Sequence, residues 1–296
     1  MGLYLAHELD GEIVGCDSVQ VYTGVDIGSA KVPREERQGI PHHLLDVVAP
    51  TGKVTAGEYA RLARTAVTEI TERGRVPIIV GGTGLYLKAL LEGLSPAPPR
   101  DELFRARLRN AGARRPEIFA RYLRRFDPGS ATRIHPNDRQ KLTRAVELCH
   151  LSGGPASHIH GVARDALTGF RVLKIGLDPE RAFLYDRLNT RTEWMFANGL
   201  LQETEALIRV CGTADSEVLR SLGYLQAGKY LRGGCSLAEA IADCQLKTRN
   251  YAKRQMTWFR SDPHINWINE FGFSDNAKSV SCRTARAFLS RTNESA

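Results

Sequence analysis

The chain has 296 residues, with six cysteines and a formal net charge of +8 at pH 7. The cysteines show no Cys-x-x-Cys spacing, and the chain has neither an apolar stretch of about 20 residues nor a secretory signal, which argues against a disulfide framework, a zinc ribbon and a membrane-spanning helix. We therefore expect a cytoplasmic protein with one large α/β domain, or with a core domain that carries an insertion.

The first hundred residues alternate between helical and strand patterns. The predicted elements are a helix at residues 3–9, a strand at 12–15, a helix at 59–74, a strand at 76–80 and a helix at 85–93. The helices show apolar residues at helical spacing, and the second strand is continuously apolar, as in a parallel sheet. The order predicts an α/β fold.

A proline-rich stretch at residues 95–99 leads into a basic segment. Residues 100–144 contain 13 Lys and Arg but five Asp and Glu, a surplus of eight that equals the net charge of the whole chain. We predict an inserted helical domain that ends near residues 152–155, followed by a strand at 172–176 that belongs to the core. Such a density of positive charge favours a polyanion as partner, although a solvated helix surface would have the same composition.

Two motifs follow predicted strands, at the edge where open parallel sheets place ligands. Asp17 follows the first strand, and its carboxylate can act as a general base or a metal ligand, or can simply cap the next turn. Gly81-Gly82-Thr83-Gly84 follows the second strand, so its amides could face an anion, with the Thr83 hydroxyl beside them. The same glycines would also let a helix pack closely on a strand. A Walker phosphate loop with its Lys and Ser/Thr occurs nowhere in the chain.

Basic residues beyond the insertion are further candidates for phosphate binding. Arg249, Lys253 and Arg254 form a stripe at helical spacing, and Arg220 lies just before Gly223-Tyr224. A guanidinium offers a planar fork for two phosphate oxygens. An ordinary surface helix with ion pairs would explain the same residues.

Six short blocks of sequence occur in one order along nearly the whole chain. They are Asp17-Ser18-Val19-Gln20-Val21-Tyr22, Asp26-Ile27-Gly28-Ser29-Ala30-Lys31, His42-His43-Leu44-Leu45-Asp46, Gly81-Gly82-Thr83-Gly84-Leu85-Tyr86, Ile134-His135-Pro136-Asn137-Asp138 and Lys253-Arg254-Gln255. Together they closely resemble the tRNA dimethylallyltransferase family, and six blocks in order are far more specific than any one of them. The resemblance implies transfer of a dimethylallyl group from dimethylallyl diphosphate to the exocyclic amine of the adenosine 3′ of the anticodon in tRNA.

The resemblance also implies a P-loop-kinase-like parallel sheet core with an inserted α-helical tRNA-binding domain. The first part of the core would be residues 1–96, the insertion 97–160, and the second part, with C-terminal helices, 161–296. The implied partners are the tRNA anticodon stem-loop and dimethylallyl diphosphate, and the implied cofactor is Mg²⁺. We expect a monomer.

By the same resemblance, Asp17, Thr83 and Arg220 are the catalytic residues. Asp17 would be the general base for the adenine amine, Thr83 would help to hold the extruded base, and Arg220 would clamp the departing diphosphate. The residues that would line the adenine pocket are Ser18, Val19 and Gln20. The positions that match tRNA contacts are Arg105 and Gln140-Lys141-Leu142-Thr143-Arg144.

Members of the family begin with a strand and a phosphate-binding loop ahead of the helix that residues 3–9 resemble. That loop would supply backbone amides, a Lys for the diphosphate and a hydroxyl for Mg²⁺, so we expect little transfer from residues 1–296 alone. A start codon assigned too late and a truncated gene product both explain the missing opening.

Two other functions remain open from the sequence. One is a tRNA-binding remnant without catalysis, and the other is a nucleoside or nucleotide kinase of the same fold class. The basic insertion and the missing phosphate loop both oppose the kinase.

Overall fold

A computed structural model of the chain describes residues 1–115, 117–159, 165–212 and 216–293. It divides into two compact units, one formed by Met1–Leu91 with Leu167–Ala296 and the other by Glu92–Ala166. The predicted domain boundary between residues 160 and 161 lies outside the described residues. No helix in the part of the chain that is described is long and apolar enough to cross a membrane.

The larger unit opens on a three-stranded parallel sheet with the order β2-β1-β3. Its elements are α1 (Gly2–Glu8), β1 (Gly11–Cys16), β2 (His42–His43), α2 (Ala56–Glu72), β3 (Val76–Gly81) and α3 (Gly84–Glu92). β1 lies in the middle and is buried along its whole length. The five elements predicted for this region are confirmed with small shifts at their ends, whereas the two-residue β2 was not predicted because so short a strand leaves no periodic pattern.

Helix α2 shows how the local sequence sets these elements. The Thr55 hydroxyl accepts a hydrogen bond from the Glu58 amide, and the Glu58 carboxylate accepts one from the Thr55 amide, which forms a capping box. The residues that this helix buries are Tyr59, Ala60, Ala63, Ala66, Val67 and Ile70. Most of them pack in one apolar cluster with Val14 and Cys16 of β1.

The smaller unit is helical in its described residues. Its helices are α4 (Glu102–Arg114), α5 (Ile118–Phe126), α6 (Pro128–Arg133), α7 (Arg139–Ser152) and α8 (Ala156–Ile159). Phe119 and Leu123 of α5 pack against Leu142 and Val146 of α7 in a core of its own. The buried Asp127 starts α6 by accepting the Ser130 amide at 3.0 Å.

The rest of the larger unit adds a second parallel sheet and a group of helices. These elements are β4 (Lys174–Leu177), α9 (Arg181–Ala197), α10 (Leu200–Cys211), α11 (Tyr224–Leu231), α12 (Leu237–Phe259), β5 (Ile265–Ile268) and α13 (Asp275–Asn293). β4 pairs with β5 and confirms the strand predicted at residues 172–176. Helices α9 to α12 share an apolar cluster with Val21, Tyr22 and Val25, so they pack directly on the segment that follows β1.

One carboxylate is buried inside the first sheet. Glu12 of β1 keeps 6% of its surface exposed. Arg73 donates to both of its oxygens, from Nε at 3.2 Å and from Nη2 at 2.8 Å, and His43 Nε2 lies 2.6 Å from Oε2. The hydrogen bonds from Arg73, and next those from His43, hold the pKa of Glu12 below its ordinary value against the opposing effect of burial.

We expect Glu12→Gln to lower the free energy of unfolding at pH 7 by about 1–3 kcal/mol, because Arg73 and His43 then face a neutral amide. Since the folded pKa of Glu12 is depressed, its stabilisation is complete above the unfolded pKa of about 4.3 and is lost as the pH falls through the folded pKa. Urea unfolding between pH 7 and pH 3.5 should therefore show the two proteins converging toward acid.

The exposed Glu205 of α10 provides the control, since Glu205→Gln should change stability by less than about 0.5 kcal/mol. A gap between wild type and Glu12→Gln that stays constant with pH would contradict the assignment.

Candidate active site and nucleic-acid interface

Asp17 lies directly after β1, at the carboxyl end of the parallel sheet. Its Oδ1 accepts hydrogen bonds from the amides of Val19 at 2.7 Å and Gln20 at 3.2 Å. The turn-capping role is therefore present. Among the described residues Oδ2 has no hydrogen-bond partner, so one oxygen of a fixed carboxylate is left for chemistry.

Thr83 joins the turn after β3 to the turn after β1. Its hydroxyl accepts a hydrogen bond from the Ser18 amide at 3.1 Å, and its own amide donates to the Cys16 carbonyl at 3.2 Å. In the parallel pairing of β1 with β3, Cys16 lies opposite Gly81, so the two turns begin side by side at the same edge of the sheet. Asp17, Ser18 and Thr83, which the sequence predicted as site residues, therefore lie together.

The groups packed near Asp17 include two tyrosines and a cysteine, all of which are uncharged. Tyr59 and Tyr86 stack with ring centroids 4.2 Å apart, and the Tyr59 hydroxyl donates to the Gly15 carbonyl at 3.0 Å. Burial raises the pKa of both phenols and raises the pKa of the Cys16 thiol to about 11. All three groups stay protonated at neutral pH, so they add no charge next to the carboxylate.

Helix α12 covers the glycine-rich turn after β3. Gln255 Nε2 donates to the Gly82 carbonyl at 2.9 Å. A Cβ on Gly82 would overlap the Gln255 amide, and a Cβ on Gly84 would overlap the Trp258 indole. The close approach of α12 therefore leaves little room beside these two glycines, which is the packing role that the sequence left open beside anion binding.

The charge of Asp17 acts on the pKa of two side chains that the sequence did not single out. Tyr251 lies one helical turn before Gln255 on α12. Burial, and next the charge of Asp17, raises the pKa of the Tyr251 hydroxyl, while hydrogen bonding to Thr83 and Gln255 acts in the opposite direction. Helical spacing from Gln255 is the one signal that could have identified Tyr251.

The second is Arg191 on α9. Desolvation by surrounding protein lowers the pKa of its guanidinium, and the Asp17 carboxylate opposes this shift. Arg191 nevertheless keeps exposed surface.

The side chain of Gln20 is held by the segment that follows it. Its Nε2 donates to the carbonyls of Ser29 at 3.0 Å and Ala30 at 3.4 Å. Val19 packs instead against the apolar cluster of α9 to α12. Of the predicted pocket residues, Ser18 thus contributes its amide to the Thr83 contact, and Gln20 is tied to the loop at residues 26–31.

The loop at residues 26–31 ends with a buried lysine, Lys31. Lys31 Nζ donates to the Tyr22 carbonyl at 2.9 Å and to carboxylate oxygens of Asp26 and Asp46, each at 2.7 Å. Its side chain is 2% exposed. Two carboxylates and a carbonyl satisfy the buried ammonium, which fixes the loop against the start of the site.

Arg220 lies between α10 and α11 and is exposed. Its amide donates to the Ser216 carbonyl at 3.2 Å, within the short segment that leads to Gly223 and α11. Of the basic stripe on α12, Arg249 donates to Asn189 at 2.5 Å, whereas Lys253 and Arg254 are exposed.

In the smaller unit, two arginines predicted to contact tRNA bind a buried carboxylate. Glu147 is fully buried. Its Oε2 lies 2.7 Å from Arg144 Nη1 and 3.3 Å from Arg105 Nε, and its Oε1 accepts the Asp101 amide at 2.8 Å. Arg105 and Arg144 therefore join the start of α4 to α7.

The other predicted tRNA positions lie at the start of α7. Gln140 and Lys141 are exposed, Thr143 is partly buried, and Leu142 is 2% exposed and packs in the core of the unit. The exposed basic residues between residues 100 and 144 are Arg100, Arg107, Arg109, Arg114, Arg115, Arg121, Arg124, Arg125, Arg133, Arg139 and Lys141. Most of the positive charge counted in the sequence is thus on the surface of this unit, where a phosphate backbone could reach it.

Comparisons of sequence connect this chain to known proteins. The family model described as IPP transferase matches residues 20–262. A tRNA dimethylallyltransferase of Solibacter usitatus is 48% identical over 289 residues, which cover 98% of this chain and 94% of the relative. Another, of Koribacter versatilis, is 50% identical over 281 residues, with 95% and 91% covered.

Solved structures give the same result. The full-length tRNA isopentenylpyrophosphate transferase of Bacillus halodurans matches with a TM-score of 0.72 and 34% identity, over 99% of this chain and 92% of that one. A eukaryotic dimethylallyltransferase acting on tRNA matches with a TM-score of 0.81 and 26% identity, over 98% of this chain and 76% of that one. The predicted fold class, a P-loop-kinase-like α/β core with a helical insertion, is confirmed.

The packing of α12 on the glycine-rich turn gives a direct test. We expect Gly84→Ala to lower the free energy of unfolding by about 1–3 kcal/mol, because the added methyl group must displace the Trp258 ring. Urea unfolding followed by tryptophan fluorescence measures the change.

Gly57→Ala in α2 is the matched control, since the nearest atom to its added Cβ is Thr55 Oγ1 at 4.0 Å. This variant should gain about 0.5–1 kcal/mol from helix propensity. Wild-type stability in Gly84→Ala would show that α12 does not require the glycine.

Proposed function

The chain belongs to the IPP transferase family and is a tRNA dimethylallyltransferase, and we propose how its own residues carry out the reaction. It transfers a dimethylallyl group to the exocyclic amine of the adenosine 3′ of the anticodon in tRNA. The donor in our proposal is dimethylallyl diphosphate. The observation that carries the proposal is the geometry around Asp17. The Ser18 amide donates to the Thr83 hydroxyl, two amides hold Asp17 Oδ1, and Asp17 Oδ2 takes no part in the turn.

In this proposal Asp17 removes the proton of the adenine amine. The amine is a poor nucleophile because its lone pair is delocalised into the ring, so a base must assist it. The amine nitrogen bonds to the allylic carbon, the bond from that carbon to the diphosphate oxygen breaks with its electron pair on the diphosphate, and the proton passes to Oδ2. Two amides hold Oδ1, so the carboxylate needs no reorientation during the reaction.

Thr83 would contact the adenine, which must leave the base stack to be reached. Its hydroxyl oxygen accepts from the Ser18 amide, and its one hydroxyl hydrogen would exchange the contact with Tyr251 for a ring nitrogen of the bound adenine. Ser18 and Gln20 would line the same pocket. Val19 would contribute through its backbone, since its side chain packs in the core.

Arg220 would hold the diphosphate as it departs. The negative charge on the diphosphate grows while the allylic carbon becomes cation-like, so a positioned guanidinium stabilises the transition state more than the ground state. The exposure of Arg220 supports this role. Arg191 is a second cation, and its charge is stabilised by the Asp17 carboxylate.

The family typically uses a divalent metal, and we propose that the ion is Mg²⁺. Within the described ranges no group of three or more His, Cys, Asp or Glu side chains could hold a metal by itself. This fits Mg²⁺ that keeps several waters and is bound largely by substrate phosphates. Bound there, the ion would neutralise charge on the leaving diphosphate.

The anticodon stem-loop would bind to the smaller unit through its exposed arginines and through Gln140 and Lys141. Arg105 and Arg144 would act through Glu147, which fixes α4 on α7 beneath that surface. A monomer in the cytoplasm would suffice, because Asp17, Ser18 and Thr83 meet within one chain and the substrate is tRNA.

Asp17→Asn tests the base. The amide oxygen can still accept the two backbone hydrogen bonds, so we expect unchanged unfolding but a fall in kcat of about 10²–10⁴-fold. Transfer of a radiolabelled dimethylallyl group to unmodified tRNA measures it, with a form extended upstream in frame assayed beside residues 1–296.

Transfer that survives Asp17→Asn in full would rule out Asp17 as the base. A chain that binds tRNA and transfers nothing in either form would favour the binding protein without catalysis.

Lys141 and Arg144 should separate tRNA binding from folding. Lys141 is 71% exposed, so Lys141→Gln should leave stability within about 0.5 kcal/mol and lower the slope of log Kobs against log salt concentration by about one. Arg144→Gln should lower the free energy of unfolding by about 1–3 kcal/mol, because Glu147 loses its nearest partner.

Filter binding to the anticodon stem-loop from low to high salt, together with urea unfolding, measures both effects. Lys247→Gln on α12 is the control, since Lys247 is 55% exposed and lies in the larger unit outside the proposed tRNA surface. An unchanged salt slope in Lys141→Gln would contradict its contact with phosphate.

A further inference from the structure

Glu203 of α10 accepts hydrogen bonds from four donors. The amides of Asp26 and Ile27 donate to Oε2, each at 2.9 Å, and the Gly28 amide donates to Oε1 at 3.1 Å. The fourth donor is the Tyr224 hydroxyl, also to Oε1. Successive backbone amides that converge on one point commonly hold a bound anion, and here a carboxylate of the protein fills that position.

Tyr224 makes this contact rigid. It is fully buried, and a Cβ on Gly28 would overlap its ring. Burial, and next the charge of Glu203, raises the pKa of its hydroxyl, which therefore stays protonated as a donor. The loop at residues 26–28 is thus fixed to the first residue of α11 through Glu203.

The two sides of this contact lead to different parts of the proposed site. The loop continues to Ser29 and Ala30, whose carbonyls hold the side-chain amide of Gln20. Tyr224 follows Arg220 by one short turn of chain, in which Gly223 adopts φ of +88°. One carboxylate therefore lies between the proposed adenine pocket and the proposed diphosphate clamp.

We propose that Glu203 is a positioning residue for the transfer, which sets the placement of Gln20 and Arg220 relative to each other. This inference rests on the proposed function of those two residues. Glu203 itself would contact neither the tRNA nor the diphosphate. It acts through the loop at residues 26–28 and through Tyr224.

Charge and geometry make the position specific for a carboxylate. All four groups around Glu203 are donors, so a glutamine of the same size would turn its NH₂ group toward at least one of them. One amide or hydroxyl would lose its acceptor, and the loop would shift. Misplacement of reacting groups by about 1 Å can lower the rate by about 10²-fold.

The test uses an anticodon stem-loop RNA with 2-aminopurine in place of the reacting adenosine. Its fluorescence rises when the base leaves the stack, and this readout requires no transfer. We expect Glu203→Gln to bind the RNA with a Kd within about threefold of wild type and to lose most of the fluorescence rise. In the transfer assay, made in the form extended upstream in frame as well as in residues 1–296, its kcat should fall about 10–100-fold, with KM for tRNA within about threefold.

Two further variants make the test specific. Tyr224→Phe removes one donor and keeps the ring, so it should show a smaller loss of the same kind and serves if Glu203→Gln does not fold. Glu239→Gln is the control, because Glu239 likewise accepts a backbone amide, that of Ser236 at 2.8 Å, but caps α12 at its far end. All measurements are made where circular dichroism shows each variant folded.

Wild-type fluorescence and kcat in folded Glu203→Gln and Tyr224→Phe would overturn the inference and leave Glu203 with a structural role alone. Equal losses in Glu239→Gln would overturn it as well. A wild-type protein that binds the stem-loop without any fluorescence rise or transfer, both as residues 1–296 and in the form extended upstream, would refute the proposed function, and the inference with it.

Discussion

The site depends on the parallel register of β1 and β3, which ends with Cys16 opposite Gly81. Both strands end at the same edge of the sheet, so the turns that follow them satisfy each other's backbone groups, as in the bond from the Thr83 amide to the Cys16 carbonyl. There is no room for a side chain at residue 81, because a Cβ there would overlap the Cys16 backbone. Close approach of two backbones is therefore the condition under which Asp17 and Thr83 meet.

Buried charges hold the surrounding elements in one arrangement. Glu12, Lys31 and Glu147 are each almost excluded from water, and each has partners of opposite charge. Burial of an unpaired charge is so unfavourable that a shift of either partner would be resisted strongly. In the smaller unit the arginines form two groups. Arg105 and Arg144 neutralise the buried Glu147, and most of the others lie on the surface.

Elements with a clear period and the residues at strand ends could be predicted from the sequence. Asp17 and Thr83 became candidates because each follows a predicted strand, and parallel strands bring their ends together, but only the family resemblance gave them catalytic roles. Tyr251 and Glu203 were missed because their partners lie far along the chain, and Glu203 is 177 residues from Asp26. Counting charges also could not separate Arg105 and Arg144 from their neighbours, since composition carries no information on burial.

The packing of α12 on the turn after β3 couples two motifs that lie far apart in the sequence, because the size of a residue in one limits the size of its neighbour in the other. A side chain at residue 84 and an indole at residue 258 compete for the same volume, and the same holds for residues 82 and 255. A larger residue in the first motif must displace the side chain opposite it unless that side chain is smaller. We therefore expect a larger residue at position 82 or 84 to be better tolerated when its partner is smaller, although the chain separates the two by more than half its length.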